Sequence, residues 1–211
     1  VRAGAGACVV ALACSLGSPD TAAAADSFYS PTVNGIDTVC DAYRPHAKRA
    51  DVVRLARVGA SDAPWSVTDE ATDARVQEDP KFVVGDFVTI VLDGGAIVSA
   101  YSTHVDPTIG HVIVHAWCFI GGKLSRATVD YAPTSDRGVG YRRTRYYGDD
   151  LDEPLAETMN ERGSVGKTYV APPKEIDALL VVEPDARPVN LPFYDAFELA
   201  RKGALPRLKG P

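Results

Sequence analysis

The chain has 211 residues, enough for one domain of ordinary size, and its 45% hydrophobic and 24% charged content is that of a globular fold; this excludes disordered, collagen-like and multi-span membrane classes. Its 22 basic against 28 acidic side chains give a net charge of −6. A general binder of nucleic acid or anionic membrane needs the opposite excess, because its affinity comes from displaced counterions.

Residues 1–25 read as a secretory signal peptide. Arg2 supplies a positive start, Ala3 to Leu16 are small, apolar and uncharged, and Thr21 to Ala25 offer small residues for cleavage before Asp26. The apolar run is short of the roughly 20 residues a membrane-spanning helix needs. A lipoprotein acylated at Cys14 is the lesser alternative for export. Cleavage before Asp26 leaves Cys40 and Cys118 as the two remaining cysteines. In an exported chain such a pair is expected to form one disulfide, closing a loop of about 80 residues and contributing about 4 kcal/mol on the chain-entropy account.

In chain order, Asn34–Val58 reads as mainly helical and broken at Pro45, because Val39, Tyr43, Val52, Val53, Leu55 and Ala56 recur at helix-like intervals. Ser61–Pro80 reads as loop with a short helix near Asp69–Val76. A β meander follows: Phe82–Leu92, the turn Asp93-Gly94-Gly95, Ala96–Thr103, a turn on Asp106-Pro107, His111–Ile120, the turn Gly121-Gly122 and Lys123–Tyr131. Gly138–Tyr147 is a candidate fifth strand. Asp149–Arg162 resembles a helix with an acidic start, and Asn190–Gly203 a helix capped by Asn190 and ended by Gly203.

Taking Gly121-Gly122 as a two-residue turn and carrying the register along both strands puts Cys118 opposite Ser125 and Ala116 opposite Ala127. A disulfide to Cys40 then requires the N-terminal helix to cover the Cys118 face. The other face, in the same register, carries His115, Trp117 and Phe119 against Asp130, Thr128, Arg126 and Leu124. If the C-terminal segment covers it, His115 and Asp130 are a candidate acid/base pair. Trp117 would be an apolar wall, with Arg126 a cation–π partner and an anion contact. Arg143 and Arg145, interleaved with aromatics in Tyr141–Tyr147, are candidate anion contacts, with salt bridging to nearby acids as the plainer role. His104, His111 and Asp106 cluster in sequence. However, His111 and His115 lie about 13 Å apart on a strand, and His104 with His111 is an incomplete ligand set, so no metal is expected. There is no Gly-x-Ser-x-Gly and no His-Glu-x-x-His.

The 15 residues Trp117–Tyr131 (WCFIGGKLSRATVDY) are loosely similar to the strand–turn–strand that closes many NTF2-like domains. The resemblance implies a cone of curved sheet over a leading helix as a fold alternative and carries over no catalytic residue. The reading of the residues themselves is a single α+β domain over residues 26–211. It comprises a helical part (26–80), a four- to five-stranded antiparallel meander (81–132) and an irregular helical C-terminal extension (133–211). The expected function is a secreted or periplasmic binding domain without catalysis or cofactor, its partner a small molecule or an envelope protein and not nucleic acid. A small hydrolase or isomerase using His115 and Asp130 is the alternative, and an envelope structural protein the third. No transmembrane span is expected in the mature chain.

Overall fold

The computed structural model describes residues 32–43, 51–59, 62–79, 84–106, 108–134, 139–148, 151–161, 171–182 and 187–209. The expected signal peptide, Cys14 included, lies outside the described residues. Helix α1 spans Val33–Ala42. Its first turn is closed by Thr32, whose hydroxyl accepts the Gly35 N–H at 3.2 Å. Strand β1 is Asp51–Val58 and β2 is Ser66–Val67. Helix α2, Glu70–Glu78, is capped by Asp69, which accepts the Thr72 N–H at 2.8 Å. That bond holds the Asp69 carboxyl below its ordinary pKa. The remaining strands are β3 (Gly85–Asp93), β4 (Ala96–Asp106), β5 (His111–Ile120), β6 (Lys123–Pro133), β7 (Tyr141–Tyr146) and β8 (Ala156–Glu161). Helices α3 (Lys174–Asp177) and α4 (Tyr194–Arg201) follow.

The strands form one antiparallel sheet of eight in the order β2-β1-β3-β4-β5-β6-β7-β8. The expected meander is present, and it is longer than expected at both ends. Its tight turns are Gly94-Gly95 and Gly121-Gly122, all four residues at positive φ, as a two-residue hairpin turn with the twist of the flanking strands requires. On one side β1 pairs with β3, and β2 caps that edge. Main-chain bonds from Val67 N–H to Pro206 and from Leu208 N–H to Val67 cover β2 in turn.

Two expectations about element type are corrected. Residues Val52–Val58 were expected to continue the N-terminal helix, but they form strand β1. Leu55 and Ala56 are both fully buried, on opposite faces, so the strand shows no polar–apolar alternation and mimics a helical pattern. The Asp149–Arg162 segment was expected to be helical, yet 156–161 is strand β8, paired along its length with β7. Helix-forming Ala, Glu and Met residues there yield to the ladder and to an ion pair from Arg145 Nε to Glu157.

Each face of the sheet has its own cover. On one face α1 packs through Ile36 and Cys40 onto Cys118 and Tyr146, pinned by the Cys40–Cys118 disulfide. Farther along it, Val76 of α2 meets Ala56 and Phe87. The opposite face holds the main core: Leu55, Val88, Ile90, Trp117, Phe119, Leu124, Val129 and Met159 lie beneath Leu180, Val182, Leu191, Phe193 and Phe197 of the C-terminal segment. Trp117 is only 8% exposed, and its ring meets Phe193 edge-on at 5.9 Å. Burial of such side chains contributes about 1.5–3 kcal/mol each.

Candidate functional site

The register between β5 and β6 decides what the sheet faces carry. Ile120 pairs with Lys123 and Phe119 with Leu124, as the turn dictates, but Cys118 then pairs with Arg126 and Trp117 with Ala127. Ser125 is the extra residue of a β-bulge. Beyond a bulge every side chain of the bulged strand changes face. The expected pairing of Cys118 with Ser125 and Ala116 with Ala127 is therefore corrected, and so are the consequences drawn from it. His115 stands opposite Val129 on the buried face and stacks on Trp117 at 5.7 Å. Asp130 stands opposite Val114 on the α1 face. The two project from opposite sides of the sheet and form no acid/base pair. Trp117 and Arg126 are likewise on opposite faces, so their cation–π contact does not form.

Arg143 and Arg145 project to the buried face and fasten the C-terminal segment. Arg143 donates to the Leu180 carbonyl at 2.8 Å and to Asp177 at 2.6 Å. Arg145 donates to the Val182 carbonyl at 3.2 Å and pairs with Glu157. Both are spent on backbone carbonyls and carboxylates of their own chain, which is the plainer of the two roles expected of them. The bond to Glu157 raises the Arg145 pKa above its ordinary value.

The bulge delivers Arg126, Thr128 and Asp130 to the α1 face, where they line a groove of about 530 Å³ beside the helix. The register sets out its floor and walls. One row across β4 to β8 runs Tyr101, Ala116, Thr128, Thr144, Thr158, at about 4.8 Å per strand. These are small side chains except at the Tyr101 end, and the Thr128 and Thr144 hydroxyls are bonded to each other at 3.2 Å. The next row toward the disulfide gives one wall, Arg126 and Tyr146; the row on the other side gives the second, Asp130, Arg142 and Asn160.

Helix α1 completes the first wall. With Ile36 and Cys40 turned to the sheet, Asp37 and Asp41 follow one residue later on the same side of the helix. Arg126 donates to Asp37 at 2.7 Å and to Asp41 at 3.2 Å, and the Tyr146 hydroxyl donates to Asp37 at 3.2 Å. Burial, reinforced by the charge of Asp37, pushes the Tyr146 phenol up to about 12. On the second wall Arg142 grips Asp130 with two bonds, at 2.6 and 2.8 Å, a bidentate pair that raises the arginine pKa. Of the expected site residues, Arg126 and Asp130 thus share one groove, while His115, Trp117, Arg143 and Arg145 belong to the other side. Asp37, Asp41, Tyr101, Thr158 and Asn160 were not anticipated, and Arg142 and Tyr146 only as members of the Tyr141–Tyr147 patch.

A second polar cluster sits on the opposite face at the far end of β3 and β4. His104 Nδ1 is 2.7 Å from Asp86 Oδ1, and Arg57 holds the other oxygen of Asp86 while lying 4.8 Å from the Trp65 ring centre. Asp86 pairs with His104 across the strands, a partnership invisible without the register. His111 is bonded instead to the Ile109 carbonyl at 3.0 Å. Among the described residues no group of three or more His, Cys, Asp or Glu is placed to hold a metal ion.

The fold is α+β with a single antiparallel sheet, and the site is a polar groove between that sheet and a disulfide-pinned helix. No protein family matches this chain, and no curated protein or solved structure is significantly similar to it.

Proposed function

We propose that this chain is an exported, non-catalytic binding domain that takes a small polar ligand in the groove beside α1. The groove itself carries the reading. Its volume of about 530 Å³ is in the range of small-molecule sites. Its charged residues are already paired, and three of its polar lining residues, Tyr101, Thr158 and Asn160, make no side-chain hydrogen bond within the described residues. Export is supported by the composition of residues 1–25 and by the Cys40–Cys118 disulfide, a bond that persists in oxidising compartments. Among the described residues no helix is long and apolar enough to cross a membrane.

The test is saturation-transfer NMR with a collection of neutral, anionic and cationic polar small molecules, run on the wild type and on Thr158→Trp. The substitution places an indole in the groove from edge strand β8. Wild type is expected to bind at least one member and Thr158→Trp none, with both melting at closely similar temperatures. No binding by wild type, or equal binding by both, removes the groove as the site.

Acid–base catalysis is a second reading, favoured by the His104–Asp86 contact. A carboxylate on Nδ1 fixes the tautomer that leaves Nε2 as a base. It predicts ester hydrolysis, read with p-nitrophenyl acetate, that is lost in His104→Ala; equal rates in the two proteins exclude it.

A further inference from the structure

The lining of the groove narrows what it takes. Three carboxylates and two guanidinium groups border it, and each is engaged with its opposite: Arg126 with Asp37 and Asp41, Arg142 with Asp130 through both carboxylate oxygens. An anion would have to break one of these pairs and leave a carboxylate without its partner, which is costly for a half-buried group, and a cation would have to compete with Arg126 for Asp37 and Asp41. Asp130 is only 15% exposed and Arg126 19%. The groups left over are neutral and two-sided. The Tyr101 and Thr158 hydroxyls each donate and accept, and the Asn160 amide does both through adjacent atoms. Moreover, the Arg142–Asp130 pair presents a planar array of donors and acceptors beside Asn160, on the same register row.

Resting on the reading of this groove as a small-ligand site, we infer that its ligand is a neutral polyhydroxylated molecule, a short uncharged saccharide. Adjacent sugar hydroxyls act together as donor and acceptor, which is the demand that Asn160 and the Arg142–Asp130 plane meet. The C–H face of a pyranose ring is apolar and suits the ring of Tyr101 at the end of the floor. The Thr128, Thr144 and Thr158 floor is low enough to let a flat ring lie along the row, and its methyl groups give the ring van der Waals contact. Disulfide pinning of α1 holds Asp37 and Asp41 on Arg126 before any ligand arrives, so little ordering is lost on binding.

The experiment is a titration of the full chain with threonine methyl groups labelled, followed by two-dimensional NMR. Three neutral probes (cellotriose, maltotriose and N,N′-diacetylchitobiose), one anionic probe (digalacturonate) and one cationic probe (trilysine) are compared. At least one neutral saccharide is expected to shift the Thr128, Thr144 and Thr158 methyl signals saturably, with the anionic and cationic probes weaker by tenfold or more. Asn160→Ala and Tyr101→Ala should each weaken the neutral probe about tenfold, as loss of one or two hydrogen bonds or a ring contact does. Shifts from the charged probes without the neutral ones would overturn the saccharide assignment and leave the groove as a site. No shift from any probe, together with no binding in the saturation-transfer collection, would overturn both.

Discussion

The two faces of the sheet are built from the same strands and have opposite fates. Over strands β5 to β8 the face carrying Trp117, Phe119, Val129 and Met159 is sealed by the C-terminal segment, with Leu180, Phe193 and Phe197 nearly inaccessible. Behind it, over the same strands, Thr128, Asp130, Arg142 and Asn160 border a groove that α1 flanks. One face stores most of the apolar burial, which lets the other keep polar groups without loss of the fold. The difference also separates two uses of arginine in a single strand. Arg143 and Arg145 act as fasteners for the C-terminal segment, whereas Arg142, one residue before Arg143 and therefore on the other face, is part of the groove.

If this division is right, substitutions on the two faces should differ sharply in cost. The largest effect is expected at Phe197, which is 1% exposed: Phe197→Ala should lower unfolding free energy in denaturant titrations by about 3–5 kcal/mol. Replacing both Cys40 and Cys118 by serine should cost about 2–4 kcal/mol, because the bridge spans a sequence separation of 78 residues. It should also loosen α1 while leaving amide protection in β3 and β4 in place.

Tyr146 gives an alkaline signature of the groove wall. Its folded pKa of about 12 lies above the ordinary tyrosine value of 10.0. The folded state therefore holds this proton more tightly than the unfolded chain. Its contribution, roughly 3 kcal/mol, is full below pH 10 and is lost as pH rises toward 12. Stability measured against pH should fall over that window in the wild type and fall less in Tyr146→Phe.

Removing one fastener is a smaller change. Arg143→Met should cost about 1–2 kcal/mol, with faster hydrogen exchange concentrated in residues 174–182. The smallest effect is expected in the groove, where Thr158→Ala should stay within about 0.5 kcal/mol of wild type. A cost above 2 kcal/mol there would mean that Thr158 is structural and that the two faces are less different than described.

How much of this could be read from the residues alone depends on where the physics is local. The Gly-Gly turns and the β-branched runs between them mark the meander, and the two cysteines place α1 on the face of Cys118. The last helix, with Gly203 just beyond it, was also legible, although it spans Tyr194–Arg201 and Asn190 is not its cap. Strand β1 was not, because an apolar strand buried on both faces loses its period of two. Neither was β8, whose Glu157 finds its reason to be in a strand only when Arg145 is beside it.

The site was lost to a single residue. A two-residue turn fixes the pairing next to it but not the ladder beyond a bulge, so Arg126 and Asp130 were assigned to the wrong face. A signal was present all the same. An unbroken register sets Trp117 against Arg126 and Phe119 against Leu124, mixing charge into an apolar face. Inserting one unpaired residue sets Trp117 on Ala127, His115 on Val129 and Ile113 on Tyr131, and gathers the charged groups behind them. The hydrophobic pattern already favoured the bulge.

The groove exists only with that placement, and a three-dimensional NOE spectrum of the labelled protein tests it most directly. The bulged register predicts contacts from the Trp117 indole to Ala127 and Phe193, and from the Arg126 side chain to Asp37 of α1. Contacts from the Trp117 indole to the Arg126 side chain, with His115 close to Asp130, would contradict it, because the strands would then pair without the bulge and the groove would not exist.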